Sequence, residues 1–425
     1  MQDLQPLNEK SVESLLLQDL ANAGYTCKSG KELERTSKEW ILEKEFKEAV
    51  WKINFADSRH CNLSLNKEAQ ERLIEQGLAK LKALENDELL ESNAKCHAYL
   101  TQGIPLEVLF CGEARGFVLQ IVDFQTPQNN HFLCANQLHL NVKTSKRPDV
   151  VLFVNGLPLV VCELKDPLDE NATLESAYKQ LQTYKAQIPT LFIPNVLCMV
   201  GDGLNSKVGS LSADFVRFMV WKNEDKPHTQ MPEVLQPHNL LELMRFFIIF
   251  EKETFYDKTG LPTTQINKKL AAYHQYYAVQ KAIESAKSAM SGDKRGGVVW
   301  HTQGSGKSIT MVFFSAKAIA NFANPTLLII TDRNDLDEQL FSTFAKTKEL
   351  LRTEPILAQN TQDIKTQFKR ASGGIVFGMI QKFRSEKESF ECLSKRENIL
   401  VLCDEAHRSQ YGFEARIDEN IKENK

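Results

Sequence analysis

Two acids and a lysine stand at a spacing suited to metal-assisted phosphodiester chemistry: Asp149, after Pro148, and then Glu163-Leu164-Lys165. The thirteen residues between the acids read VVLFVNGLPLVVC, an apolar strand, an Asn155-Gly156 turn and a second apolar strand. Asn-Gly is the strongest short hairpin signal, and a hairpin here returns Asp149 to the end of the second strand. Residues two apart on a strand share a face, so Glu163 and Lys165 point together and Leu164 points into the core. Carboxylate oxygens at Asp149 and Glu163 suit Mg²⁺. A cation there would polarise a scissile phosphate, while Lys165 would position water or neutralise developing charge.

A second set lies downstream. His301-Thr302-Gln303-Gly304-Ser305-Gly306-Lys307-Ser308 follows the apolar run 297–300 and precedes a helical stretch, 309–320. Gly304 and Gly306 let backbone N–H groups, that of Ser305 included, wrap an anion without Cβ clashes. The helix N-terminus adds a positive dipole end. Lys307 would reach the β and γ phosphates of ATP and Ser308 would ligate Mg²⁺. The pattern G-x-x-x-x-G-K-[ST] departs only at its first position, where His301 stands. Asp404-Glu405-Ala406-His407 ends another apolar run, 399–402. A carboxylate at the C-terminal edge of a strand faces the ligand crevice of an α/β sheet. Asp404 would hold the Mg²⁺ water shell and Glu405 would polarise the attacking water.

The elements that must position these residues follow from periodicity. Val12, Leu15, Leu16 and Leu20 have helical spacing over 11–23, with Gly24 to end the helix. A charged, helix-rich region runs to about Tyr99. Strands are expected at 117–124, 150–154, 159–163 and 196–200, with a helix at 176–187. The stretch 222–238 is polar, carries three prolines and reads as an exposed connection. Beyond it a helix is expected at 240–252, then strands at 298–301, 326–331, 374–379 and 399–403 with helices between. Such alternation argues for a parallel sheet covered on both faces. The chain thus divides into 1–222, a linker and connecting helix 223–255, and a second domain 256–425.

The acid–acid–lysine set resembles the PD-(D/E)xK nuclease family. Gln180-Leu181-Gln182-Thr183-Tyr184 matches the Q-x-x-x-Y segment that RecB-like members carry after the catalytic hairpin; on a helix Ala177, Gln180 and Tyr184 share a face. Glu13 sits where such nucleases place an extra metal-binding acid, although a solvated helix face would explain it equally. The P-loop and Asp404-Glu405 resemble superfamily 2 helicases and translocases, with an incomplete RecA-like domain. Thr331-Asp332-Arg333-Asn334-Asp335-Leu336 and Gln381-Lys382-Phe383 stand where that family has further motifs. Gln275 is placed like its adenine-reading glutamine, or is an ordinary helix residue.

A nuclease of this kind followed by such a motor is the order of type I restriction subunits. That resemblance implies double-stranded DNA as substrate, Mg²⁺ and ATP as cofactors, and methyltransferase and specificity subunits as partners. It also implies a motor that ends early: no motif III and no second RecA-like domain follow, so translocation by the chain alone is not expected, and the sheet should have a gap. The chain would then be a shortened form, a truncated gene product or a piece of a split gene. The alternatives are a nuclease–helicase fragment for DNA repair and a non-catalytic remnant.

Bulk properties agree. The 425 residues are 42% hydrophobic and 25% charged, globular values for two or three domains at roughly 150 residues each. A net charge of -3 argues against a simple basic nucleic-acid module but permits a basic groove. The nine cysteines form no C-x-x-C pair; zinc is not expected. Cys162, Cys198 and Cys403 lie in apolar runs and read as buried reduced thiols, which fits the cytoplasm. The N-terminus has no apolar signal core, and the most apolar stretch, 241–250, is far short of a membrane span.

Overall fold

The structure, a computed structural model, describes residues 8–56, 65–110, 112–169, 171–222, 231–256, 260–331, 334–380 and 392–405. It divides into two compact units, Met1–Tyr273 and His274–Lys425.

The first unit opens with α1 (Glu9–Asn22), β1 (Thr26–Ser29), α2 (Glu43–Phe55), α3 (Lys67–Ala83) and α4 (Leu89–Gln102). A hairpin of β2 (Ile104–Phe110) and β3 (Glu113–Leu119) follows, then β4 (Phe132–Asn136) and the two short strands β5 (Leu140–Asn141) and β6 (Ser145–Lys146). Next come β7 (Val150–Val154), β8 (Leu157–Leu164), α5 (Leu174–Gln187), β9 (Leu197–Gly201), β10 (Ser206–Gly209), α6 (Pro237–Phe246), β11 (Ile248–Tyr256) and β12 (Pro262–Leu270). The main sheet has the order β1-β4-β7-β8-β9-β10. β4, β7 and β8 run antiparallel in turn, and β9 lies parallel to β8. Every residue of β7 and β8 is buried. A strand covered on both faces reads as an unbroken apolar run, which is why this pair is legible in the sequence. On one face Ala177, Leu181 and Tyr184 of α5 join Leu133, Val151, Phe153, Val161 and Val200 in a single apolar cluster.

Three expectations are corrected here. The strand expected at 117–124 stops at Leu119 and belongs to the separate β2–β3 hairpin. The helix expected at 240–252 stops at Phe246, and β11 pairs with β12 from Ile248↔Leu270 to Tyr256↔Pro262. Ile248, Ile249 and Phe250 prefer a pleated surface, and the facing strand, remote in a helical reading, decides the outcome. Leu240, Leu241, Leu243 and Met244 are buried, so 231–256 and 260–270 belong to the first unit rather than to a connecting segment; 223–230 and 257–259 lie outside the described residues.

The second unit contains α7 (Tyr273–Ser291), α8 (Lys307–Asn321), β13 (Thr326–Thr331), α9 (Asn334–Lys346), α10 (Lys348–Leu351), β14 (Pro355–Leu357), α11 (Thr361–Gln367), β15 (Ile375–Met379) and β16 (Ile399–Cys403). Its sheet has the order β14-β15-β13-β16, all parallel, as the alternation of elements predicts. The strand expected at 298–301 is absent: Val298 and Trp300 are 81% and 87% exposed and the segment is irregular. A strand exists only where a ladder partner takes up its N–H and C=O groups, and no described strand pairs with 298–301. β16 pairs with β13 on one side alone among the described residues, and its Val401 is 54% exposed. For the same reason Cys403 is exposed rather than buried, whereas Cys162 and Cys198 are buried free thiols. No helix among the described residues is long and apolar enough to cross a membrane.

Candidate functional site

The β7–β8 hairpin brings the first constellation together. Its two-residue loop is Asn155-Gly156, with φ of +50° and +76°, the pair of left-handed residues that a type I′ turn needs. The ladder pairs Val150 with Cys162, so Asp149 arrives beside Glu163. Asp149 Oδ2 accepts the Leu164 N–H at 2.7 Å. Lys165 Nζ donates to Glu163 Oε1 at 2.9 Å and to the Leu164 carbonyl at 2.9 Å. Glu163 is only 3% exposed, yet its Oε2 has no hydrogen-bond partner.

Burial controls the charge of this set. It pushes the Asp149 carboxyl up to about 6, against the pull of the Leu164 N–H and with a push from Glu9. It pushes Glu163 up to about 8; the Asp149 charge adds to this and Lys165 opposes it. Tyr184, on α5, is buried, and its hydroxyl donates to the Arg147 carbonyl at 3.4 Å. Burial and then the Glu163 charge raise its pKa well above the ordinary tyrosine range. Gln180 lies one turn before it on α5, half-buried.

Glu13 joins the group from α1. Its Oε1 accepts Asn136 Nδ2 at 2.6 Å and its Oε2 accepts Gln137 Nε2 at 2.5 Å. Gln137 Nε2 also lies 3.5 Å from Asp149 Oδ1. Sequence reasoning missed Asn136, Gln137 and Glu9. The signal for the first two was an Asn-Gln pair closing the apolar run 132–135; nothing in the spacing marked Glu9.

The chemistry of the donor set fits a hard divalent cation. Glu163 keeps a buried acceptor oxygen free, which is costly without a partner, and Asp149 stands beside it. Among the described residues no three or more His, Cys, Asp or Glu side chains converge to ring a metal ion. Two carboxylates with the remaining positions left to water and phosphate is the usual way Mg²⁺ is held.

In the second unit, Gly304 and Gly306 have φ of +78° and +81°, and Gly306 caps α8, which begins at Lys307. Gln275, on α7, is buried and donates to the Ser305 and Gly306 carbonyls at 3.4 and 3.2 Å. A Cβ at Gly306 would stand 2.7 Å from the Gln275 amide nitrogen, so this glycine serves contact as well as conformation. The rings of His274 and His301 meet edge to face at 5.3 Å, and His274 Nε2 lies 3.2 Å from the Ser305 carbonyl. His301 therefore fills the departing first position of the loop by packing. Lys307 and Ser308 open α8, half-buried. Asp404 stands at the end of β16: its N–H donates to the Ile330 carbonyl and its Oδ1 accepts the Glu405 N–H. Glu405 has a left-handed φ of +48°. Residues 332–333, Gln381-Lys382-Phe383 and the stretch after Glu405 lie outside the described residues.

Comparison with known proteins adds a family. Residues 6–217 match the type I restriction enzyme R protein N terminus, and residues 274–424 match the SWI2/SNF2 ATPase family. Over 97% of its length the chain is 38% identical to the type I restriction enzyme HindI endonuclease subunit of Haemophilus influenzae. Over 96% it is 31% identical to a Methanocaldococcus jannaschii protein, MjaIXP, provisionally named as the same subunit type. The SsaAORF53P endonuclease subunit of Staphylococcus saprophyticus is 25% identical over 70% of the chain. The chain spans 40% of the length of the first two relatives.

Proposed function

The chain belongs to the type I restriction enzyme R proteins, and from that premise we propose that its first unit is a Mg²⁺-dependent DNA nuclease of the PD-(D/E)xK kind. The second unit is the P-loop part of an ATP-driven motor with a RecA-like core. The observation that carries the nuclease reading is the buried Glu163 Oε2 left without a partner beside Asp149 and Lys165.

Asp149 and Glu163 would hold the cation, which supplies Lewis-acid polarisation of the scissile phosphate when bound. The Leu164 N–H fixes the Asp149 carboxylate in place, so one oxygen edge faces the site. Lys165, tied to Glu163 Oε1 in this state, would turn to the attacking water or to the developing negative charge. Tyr184 backs Glu163 and excludes water from its inner side, and Gln180, one turn earlier, would contact the nucleic acid. In the second unit the amides around Gly304, Ser305 and Gly306 would cradle the phosphates of ATP, with Lys307 on the β and γ groups. Ser308 and Asp404 would hold a second Mg²⁺, Glu405 would orient the hydrolytic water, and Gln275 would brace the loop or read adenine. In the whole protein the substrate is double-stranded DNA and the partners are methyltransferase and specificity subunits, with translocation powering cleavage away from the recognised site.

The test is nicking of supercoiled plasmid by the purified chain in Mg²⁺, without ATP, beside Lys165→Ala. Cleavage that EDTA abolishes and that falls by about 10²-fold or more in the variant supports the reading. Equal cleavage by the variant and the wild type would sink it.

A further inference from the structure

The carboxylates of the first unit are spaced by a residue with no assigned role. Gln137 follows β4 directly, and its φ of +52° lies in the left-handed region, which strains any residue but glycine. Its backbone N–H donates to the Asp149 carbonyl at 2.8 Å, a bond that glycine would make without strain. The side chain explains the choice. One amide nitrogen sits between two acids, 2.5 Å from Glu13 Oε2 and 3.5 Å from Asp149 Oδ1. Glu13 Oε1 is held from its other side by Asn136, and Asp149 Oδ2 by the Leu164 N–H. An uncharged double donor is the group that reconciles two like charges at this separation without a counter-ion of its own. Glu163 Oε2 alone in this row remains free. Strain of this kind persists where surrounding structure enforces it and gathers at functional sites.

The geometry points to Gln137 as a positioning residue for the metal-binding carboxylates: its amide bridges Glu13 to Asp149 and holds Asp149 aimed at the cation, with Glu13 as the outer anchor. This rests on the metal-dependent nuclease reading. Partners that orient metal ligands are typically worth 10–100-fold in affinity.

The experiment is Mn²⁺ binding to the whole chain without nucleotide, read as loss of the free Mn²⁺ resonance, alongside thermal melts in EDTA. Gln137→Met keeps the length and the strained backbone but removes the donor. Gln137→Gly removes the donor and relieves the strain. Both variants are expected to bind Mn²⁺ at least about tenfold more weakly, while only the glycine variant keeps or gains thermal stability without metal. A purely structural role would move the melts and leave binding alone; a glycine variant that binds within twofold of wild type overturns the proposal. Asp149→Asn marks the site by losing the same binding. If the wild type itself binds no Mn²⁺, the metal reading fails, and this inference with it; normal wild-type binding with unaffected Gln137 variants sinks this inference alone.

Discussion

Burial sets the protonation of the two carboxylates proposed to hold the cation, Asp149 and Glu163, before any cation arrives. Asp149 is pushed up to about 6 and Glu163 up to about 8, above unfolded values of roughly 3.9 and 4.3. The folded chain therefore holds more protons than the unfolded chain between those limits. The stability these groups contribute is full below the unfolded values and is lost as pH rises through about 6 and about 8. Without metal, Glu163→Gln should match the wild type near pH 4 and become more stable as pH rises to 9, by at most about 1.4 kcal/mol per pH unit. Denaturant melts of both proteins in EDTA check this, and a gap that does not change with pH would refute it. The same protons must leave for a cation to enter, so Mg²⁺ affinity should weaken as pH falls below about 8.

The hairpin is the element that brings Asp149 beside Glu163 and Lys165. Gly156 has φ of +76°, and a Cβ there would stand 2.4 Å from the Leu42 carbonyl oxygen and 2.8 Å from the Phe46 nitrogen. Its own carbonyl accepts the Leu42 N–H at 2.9 Å. The turn therefore docks onto the start of α2 as well as reversing the chain. Asn155 is fully buried and its side chain ties together His131, Asn130 and Ile121. Gly156→Ala should cost at least about 2 kcal/mol, since left-handed strain and a backbone clash add, and should lower plasmid nicking in proportion to the folded fraction. Thermal melts with matched nicking assays check it; an alanine variant as stable as wild type would mean that α2 retreats freely.

At the scale of the whole molecule, each unit has its own sheet and its own apolar cluster. Calorimetry is expected to resolve two transitions rather than one. With Mg²⁺ already present, adding a non-hydrolysable ATP analogue should raise only the transition of the second unit, by about 2.7 kcal/mol at a hundredfold excess over Kd. A single transition, or a shift in both, would show that the units unfold as one. The second unit also carries the exposed apolar residues Val298, Val299, Trp300 and Val401, so it is the unit expected to unfold first.

What the sequence determined by itself was local. The Asn-Gly turn, two strands apolar on both faces, and the glycines before Lys307 act within a few residues, through backbone sterics and short-range periodicity. Those rules alone put Asp149, Glu163 and Lys165 beside one another. What the tertiary structure decided was non-local. The apolar run before His301 is as strand-like as β7, yet it stays irregular because a ladder needs a partner and composition cannot say whether one is there. The segment after Phe246 became β11 because β12 faces it. Glu13 and Gln137 lie more than a hundred residues apart, and only the parallel pairing of β1 with β4, and the packing of α1 against them, brings the two side chains into one hydrogen bond.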